Sequence, residues 1–322
     1  YTGPMNRLAV SILVSAVSFF FTGCLDKPAS PGTVDRRGTV VLRLAETMPA
    51  GHPSARASEY FASLVGGQSG GRIRIKVCYG GQLGTPQEIL EQVQFGGIAL
   101  ARINSLELTE TVPSLQYYFN PLHYEGPDGL MQWASAGWKK ITDDCQMERL
   151  VPLSLFYPDI RCFYSDGIGL AGRERLAGRK IGTDSSVLMT QAITRLGAVP
   201  VDMVSADTYK SLRSGYMEAR ETGLSEFVIS DDYPFINHIL LSRHISCPDA
   251  LVASSRSFTS FSAADRNLLL DCAAQASRYQ KELMDTLHAS WFASVRGKKN
   301  ISWEDGVLSP ELQRLVSPEG AR

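Results

Sequence analysis

Apolar positions along this chain follow two alternating rhythms. Val40-Val41-Leu42-Arg43-Leu44-Ala45 is a nearly unbroken apolar run of strand length and predicts a buried strand. Pro49 to Pro53 make a turn, and Pro53 is placed to open a helix that Ala55, Ala57, Phe61, Ala62, Leu64 and Val65 carry to Gly66-Gly67. Arg72-Ile73-Arg74-Ile75-Lys76-Val77 alternates strictly, as a half-exposed strand does. After the turn Gly80-Gly81-Gln82-Leu83-Gly84, a helix is expected from Pro86 to Val93 and a third strand from Ile98 to Ile103. Strands alternating with helices predict parallel β-α-β units.

The pattern recurs downstream. Strands are expected over Leu153–Tyr157, Arg161–Tyr164, Val199–Met203 and Leu251–Ser254, and helices over Val187–Leu196 and Ala206–Ser214. From Ala263 to about His288, Leu268, Cys272, Ala276, Tyr279, Leu283 and Leu287 recur at steps of four and three, the apolar face of one long helix. The reading is an α/β protein of two lobes, with that helix long enough to brace both. Tyr117-Tyr118-Phe119, Trp133 and Trp138 read as core of the first lobe. Trp291 and Phe292 read as pins for the end of the long helix, or as a patch offered to a partner.

Ahead of this body, Met5-Asn6-Arg7 leads into an uncharged run from Leu8 to Phe21, short of the ~20 residues a membrane span needs. A basic start and a short apolar core are the marks of an export signal. The run ends Phe21-Thr22-Gly23-Cys24, which resembles a bacterial lipobox, with cleavage before Cys24 and lipidation of its thiol and new amino terminus; a plain signal with a chance cysteine is the alternative. Leu25 to Thr39, rich in Pro, Ser and Gly, reads as a tether. The expected location is the periplasmic face of a bacterial membrane, anchored at Cys24.

Composition narrows the function. The 322 residues carry 32 Lys+Arg against 33 Asp+Glu, so no basic surplus points to nucleic acid. Six cysteines without a C-x-x-C pair suit neither a disulfide scaffold nor a zinc ribbon, and most of those after Cys24 read as buried packing residues. Gly66-Gly67-Gln68-Ser69-Gly70-Gly71 lacks the Lys-Ser/Thr ending of a phosphate loop, and no Gly-x-Ser-x-Gly elbow occurs. The five histidines never fall at i, i+4, the spacing that puts two imidazoles on one helical face for zinc. Asp143-Asp144 and Asp231-Asp232 are adjacent pairs whose side chains point apart and read as solvated turns. No enzyme, metal or cofactor is expected.

Five ordered stretches carry a resemblance. They are Leu42 to Pro53; Gly71-Arg72-Ile73-Arg74-Ile75 with Gly81-Gln82-Leu83-Gly84; Leu176-Ala177-Gly178-Arg179-Lys180-Ile181; Gly197 to Val201 with Tyr209 to Gly215; and Phe261 to Asp265 leading into Tyr279 to Leu283. Together they resemble the DctP family, the extracytoplasmic substrate-binding proteins of TRAP (tripartite ATP-independent periplasmic) transporters. The resemblance implies a two-lobed, type II-like periplasmic-binding-protein fold with a long lobe-spanning helix, closing over one small molecule. It implies as partners the small and large integral TRAP subunits and, as in some members, a tetratricopeptide-repeat lipoprotein. The expected division is a signal at 1–23, the lipidated cysteine and tether at 24–39, and a first lobe at 40–159 with about 247–262. The second lobe is 160–246, the bracing helix 263–288, and a C-terminal segment at 289–322 packs on the second lobe.

Family members hold a ligand carboxylate with an arginine that follows the Leu-Lys-Gly-Leu-Lys-Ile motif, because the guanidinium fork matches two oxygens. Here that position is Gly182. The resemblance carries a second family arginine onto Arg161. It sets Ala219-Arg220-Glu221-Thr222-Gly223 against the Gly-Gln-Glu-Asn-Pro signature, so Thr222 replaces a ligand-binding asparagine beside Glu221, and it places Ser205 where an aromatic often covers the ligand. Losing the bidentate contact is expected to cost a carboxylate about 2–5 kcal/mol. The expectation is an apolar or atypical ligand in a greasy cleft. The alternatives are that Arg220 or Arg102 substitutes for the missing guanidinium, and that Arg161 serves a salt bridge to Glu221. From the first lobe Glu46, Thr47, Arg102 and Asn104 are expected at the cleft, beyond the strands' carboxyl ends, or else at the surface or hinge. A sensory or structural surface lipoprotein without a transport role is the remaining alternative.

Overall fold

A computed structural model of the protein describes residues 32–34, 38–119, 125–167, 169–170, 173–184, 186–202, 208–230, 235–295 and 301–305. The expected export signal, Cys24 and Ser205 lie outside these residues. Among the described residues, twelve strands make two sheets. The first sheet contains β1 (Gly32–Val34), β2 (Val40–Glu46), β3 (Ile73–Cys78), β4 (Leu100–Asn104) and β5 (Leu150–Phe156). The second contains β6 (Arg161–Ser165), β7 (Lys180–Thr183), β8 (Val199–Asp202), β9 (Ala219–Gly223) and β10 (His238–Leu241). The chain then returns to the first sheet as β11 (Asp249–Ser254), and β12 (Ser302–Asp305) ends it on the second.

The expected parallel units are present: β2 pairs with β3 and β4, and β7 with β8 and β9, all parallel. The sheets are nevertheless mixed. β11 runs antiparallel between β4 and β5, and β6 runs antiparallel to β9 and β10. The cause is the crossing of the chain. β11 arrives from the other lobe rather than through a helical crossover, so nothing forces it parallel. The tether expectation also needs correction, since Gly32–Val34 pairs antiparallel with Val40–Leu42. Gly32 suits that edge, because a Cβ there would stand 2.9 Å from the Leu42 side chain.

Each sheet is covered on both faces. In the first lobe the helices Pro86–Phe95, Ser105–Thr111, Gly126–Ala136 and Trp138–Met147 cover one face around Ile89, Val93, Ile103 and Val252. Phe119 is buried there, with Tyr118 and Trp138 against it, while Tyr117 is exposed. On the other face, Pro53–Gln68 packs Phe61 and Val65 against the long helix Ala263–Val295. Capping fixes where these helices start: Thr85 and Glu88 form a capping box, and the His52 imidazole accepts from the Ser54 amide at 3.1 Å. Among the described residues no helix is long and apolar enough to cross a membrane.

The long helix runs past His288 to Val295, about 50 Å of helix. Its first half gives Leu269, Cys272, Ala273 and Ala276 to the first lobe; Trp291 and Val295 enter the core of the second. Its inward stripe differs from the apolar pattern, because Gln280 and Met284 are buried whereas Leu283 and Leu287 are half-buried. Gln280 donates to the Tyr157 carbonyl at 3.1 Å and accepts from the Tyr157 amide at 2.9 Å. A polar residue thus belongs on the core side, pinning the segment where the chain passes from β5 to β6. Trp291 is buried rather than offered as a patch, and Phe292 and Trp303 of β12 stack edge-on against it. Replacing Gln280 with Leu keeps the volume and orphans both backbone groups of Tyr157. Denaturant unfolding of Gln280→Leu is expected to show a loss of about 1–3 kcal/mol; an unchanged midpoint would remove the pin.

Candidate functional site

The first lobe builds a cage around one guanidinium. Parallel pairing sets Glu46 on β2 opposite Arg102 on β4, and antiparallel pairing sets Asp249 on β11 opposite Asn104. Arg102 is fully buried. Its Nε donates to Glu46 Oε1 at 2.7 Å, its Nη1 lies 3.1 Å from Asp249 Oδ1, and Nη2 donates to the Thr47 hydroxyl. The carboxylates are held in turn. Ser58 donates to Glu46 at 2.8 Å, and Ser54 and Asn104 donate to Asp249 at 3.0 and 2.9 Å. Burying an arginine is tolerable only with carboxylates held close to it, since an unpaired interior charge is very costly. All four residues expected at this end of the sheet are therefore brought together. Arg102 is committed to Glu46 and Asp249.

The second lobe repeats the theme. Residues two apart on a strand share a face, so Arg161 and Phe163 of β6, Glu221 of β9 and Thr183 of β7 all lie on one side of the sheet. Arg161 grips Glu221 with Nε and Nη2, each at 2.6 Å, and Nη2 also reaches Asp184 at 3.3 Å. Thr183 donates to Glu221 at 3.1 Å, and His244 Nε2 stands 3.3 Å from it. Burial pushes the Glu221 carboxyl up, but Arg161 and His244 outweigh it and hold the group at about 2. The salt-bridge alternative for Arg161 is the arrangement present.

Gly182 lies on the opposite face, directly beside Arg220. Arg220 donates to Glu226 at 2.8 Å and to the Thr208 hydroxyl, and Thr222 donates to the same Glu226 at 2.9 Å. This face presents an arginine tied to a carboxylate.

The two lobes meet. His52 of the first lobe has its Nδ1 occupied by the Ser54 amide, so its Nε2 carries the proton and donates to Ser225 of the second lobe at 2.8 Å. Burial, then the Arg102 charge, push this imidazole's pKa down, which favours the neutral form. Ser225 passes its own hydroxyl hydrogen to Asp159 at 2.5 Å, and His288 of the long helix holds the same carboxylate at 2.8 Å. Gly223 permits this approach, since a Cβ there would stand 2.3 Å from Asp159 Oδ2. Glu110 accepts from the Val187 amide at 2.8 Å across the boundary, and Leu106 packs with Met189. Between the lobes remains a cavity of about 40 Å³, bounded by Met48, Asn104, Arg161, Glu226, Asp249 and Met284 among others. It holds about three waters and no sugar-sized solute, so a solute enters only with the lobes apart.

Charged and apolar side chains share these walls: Asp159, Arg161, Glu226 and Asp249 stand beside Met48, Tyr157 and Met284. Asp159, Ser225, Glu226 and Asp249 were not singled out from the sequence. His52 had a readable signal, since it stands immediately before a helix-opening proline, where a side-chain cap is expected.

One buried group opposes the rest. Glu107, one turn into the helix Ser105–Thr111, is pushed up to about 8, first by burial and then by the negative charge of Asp184, with Asp249 adding to it and Arg102 opposing. An acid whose pKa is raised in the folded state gives stability present below its ordinary value of about 4.5 and lost as pH rises toward 8. Glu221, held down, gives the reverse: stability present above about 4.5 and lost as pH falls toward 2. Melting temperature is therefore expected to be highest near mild acidity and to decline toward about pH 8, and Glu107→Gln is expected to flatten the alkaline decline. An unchanged alkaline limb in that variant would contradict the assignment.

Known proteins supply the context for this geometry. The family model for bacterial extracellular solute-binding protein, family 7 (DctP) matches residues 44–304. A solute-binding protein of Chromohalobacter salexigens is 24% identical over 265 residues, spanning 82% of this chain and 77% of its own. The C4-dicarboxylate-binding periplasmic protein DctP of Rhodobacter capsulatus is 21% identical over 299 residues, 88% of each chain. Among solved structures, a TRAP periplasmic solute-binding protein from Roseobacter denitrificans with bound β-D-glucuronate superposes with a TM-score of 0.80 at 21% identity, covering 87% of this chain and 93% of that one. One from Sulfitobacter with bound β-D-galacturonate gives 0.79 at 17% identity, with the same coverage. Matched across most of its length and sharing the two-lobed fold, the chain belongs to family 7 of the bacterial extracellular solute-binding proteins, the DctP family of TRAP transport receptors.

Proposed function

We propose that this chain is the solute-capturing component of a TRAP-type secondary transporter, tethered outside the cytoplasmic membrane by lipid on Cys24. The observation that carries the reading is the lobe boundary itself. Two independently built charge cages flank a cavity, with direct bonds such as His52 to Ser225 and Glu110 to Val187 across the boundary. A solute touching both lobes stabilises the closed form by its differential affinity for it. The membrane partners are the small and large integral subunits, driven by an ion gradient, with a tetratricopeptide-repeat lipoprotein as a further companion. The Phe21-Thr22-Gly23-Cys24 ending supports the anchor.

The solute is a small molecule of a kind not held by an arginine fork. The relatives' uronates and dicarboxylates are the natural comparison, and Gly182 supports a departure from them. Both arginines nearest the cleft from the two lobes, Arg102 and Arg161, already hold carboxylates of the chain. Met48, Tyr157 and Met284 support an apolar portion of the solute, beside the charged groups Asp159, Arg161 and Asp249.

Reconstituting the membrane subunits in proteoliposomes with an imposed ion gradient tests the transport role. Solute uptake is expected to require this chain and no ATP, and Cys24→Ser is expected to release the chain from the membrane fraction of cells while leaving uptake intact when the soluble chain is added in excess. Uptake that is equal without the chain would sink the proposal.

A further inference from the structure

The sheet of the first lobe has two ends. The cleft lies beyond Asn104 and Asp249, whereas Val40, Leu100, Leu150 and Ser254 stand at the opposite pole of the same strands. Apolar side chains gather at that pole. Phe95 is 70% exposed and Met147 is 81% exposed, and each ends the helix that carries it, Pro86–Phe95 and Trp138–Met147. The two helix ends meet, since the Gln94 side chain donates to the Glu148 carbonyl at 3.1 Å. Val34, 65% exposed, pairs with Val40 at the same end of the sheet. Exposed apolar residues are ordinary when scattered singly, but grouped ones mark a contact surface.

Guanidiniums ring the turn after Phe95. Arg149 stands over the Phe95 ring, 5.6 Å from its centre. Arg43 donates to the Gly97 carbonyl at 2.7 Å, and a Cβ on Gly96 would stand 3.1 Å from Cδ of Arg256. All three arginines are exposed. Lys76, the neighbour of Arg43 across the parallel pair of β2 and β3, and Arg74 extend the band along the sheet edge, and both are exposed. The acids of the two helix ends are Glu91 and Glu148, while Arg72 and Asp265 pair with each other. Apolar tips set among cations suit the boundary of a bilayer, where hydrocarbon lies just under phosphate.

The amino-terminal segment points to the same place. Gly32 comes eight residues after Cys24, at most about 29 Å of extended chain, and β1 then runs from opposite Leu42 to opposite Val40, toward this pole. A lipid on Cys24 keeps the pole within that reach of a membrane.

We infer that this pole of the first lobe docks on a phospholipid surface bearing anionic headgroups, with Phe95 and Met147 entering the bilayer boundary and Arg43, Arg149 and Arg256 meeting phosphates. The inference rests on the Cys24 anchor of the proposed function and adds to it the face that the anchor lays on the membrane. A guanidinium fork matches phosphate oxygens as it does a carboxylate. Lipid at this pole leaves the cleft ends of the strands uncovered.

The test uses the chain isolated from its host with its own processing, carrying Met147→Cys labelled with an environment-sensitive dye. The native thiols Cys78, Cys145, Cys162, Cys247 and Cys272 are buried, which directs the dye to the surface position. The chain is combined with phosphatidylcholine vesicles with and without phosphatidylglycerol, and the same dye at Tyr216→Cys on the second lobe is the control. The Met147 label is expected to shift to the blue and to be quenched from within the bilayer on the anionic vesicles, the Tyr216 label to do neither, and added salt to reverse the effect. Arg149→Gln and Arg256→Gln are each expected to lower the ratio of docked to undocked chain about fivefold, and Phe95→Ser by at least as much, at unchanged melting temperature. An unshifted Met147 label, or an equal shift at Tyr216, overturns the inference. A shift that grows with protein concentration in the absence of vesicles also overturns it and assigns the pole to a second copy of the chain. Intact mass reads the lipid on Cys24 separately: a lipidated chain with an unshifted label keeps the anchor and loses the docking face, and an unlipidated chain whose label shifts keeps the face and loses the anchor.

Discussion

Burying an arginine is the constraint from which the site follows. A guanidinium stays charged at any accessible pH, so a fold that places one inside must surround it with acceptors. This chain does so twice, at Arg102 between β2, β4 and β11, and at Arg161 between β6, β7 and β9. Each time the acceptors come from strands distant in sequence. The ion pairs therefore fix strand neighbours as well as charge, and removing one partner would strand a carboxylate such as Glu221, which is 1% exposed. Two guanidiniums that could have met a ligand's acid group are spent on the scaffold, and Asp159, Glu226 and Asp249 share the cleft wall with Met48 and Met284.

Around these cages the hinge is built from a different set of contacts. The chain crosses between lobes after Phe156 and again before Asp249, and the helix Ala263–Val295 runs alongside. Gln280 holds the first crossing by the backbone of Tyr157, and His288 holds it by Asp159. Asp159 also receives Ser225, the residue that meets His52. One carboxylate thus links the long helix, the second lobe and, through a serine, the first lobe.

Much of the fold was legible where side chains meet hydrocarbon. β2, β3 and the helix at Pro53 follow directly from apolar spacing and from proline at the first helical position. β9 was not legible as a strand, because Ala219-Arg220-Glu221-Thr222-Gly223 carries no apolar alternation. It is nonetheless buried at every position, since its polar groups satisfy one another and their neighbours. The same reason hid the inward stripe of the long helix, where Gln280 stands in for an apolar residue. The site was legible through resemblance at Arg161, Glu221, Thr222 and Gly182, and through strand ends at Glu46, Thr47, Arg102 and Asn104. Asp249 and Asp159 were not, because a lone aspartate in an apolar run or beside a proline carries no spacing that reveals which distant cation it meets.

A crystal structure of the protein isolated with its natural solute still bound tests the central claim most directly. Arg161 is expected to keep both bonds to Glu221, with the solute touching both lobes and approaching the acidic wall. A solute carboxylate clasped by Arg161, with Glu221 turned away, would contradict it.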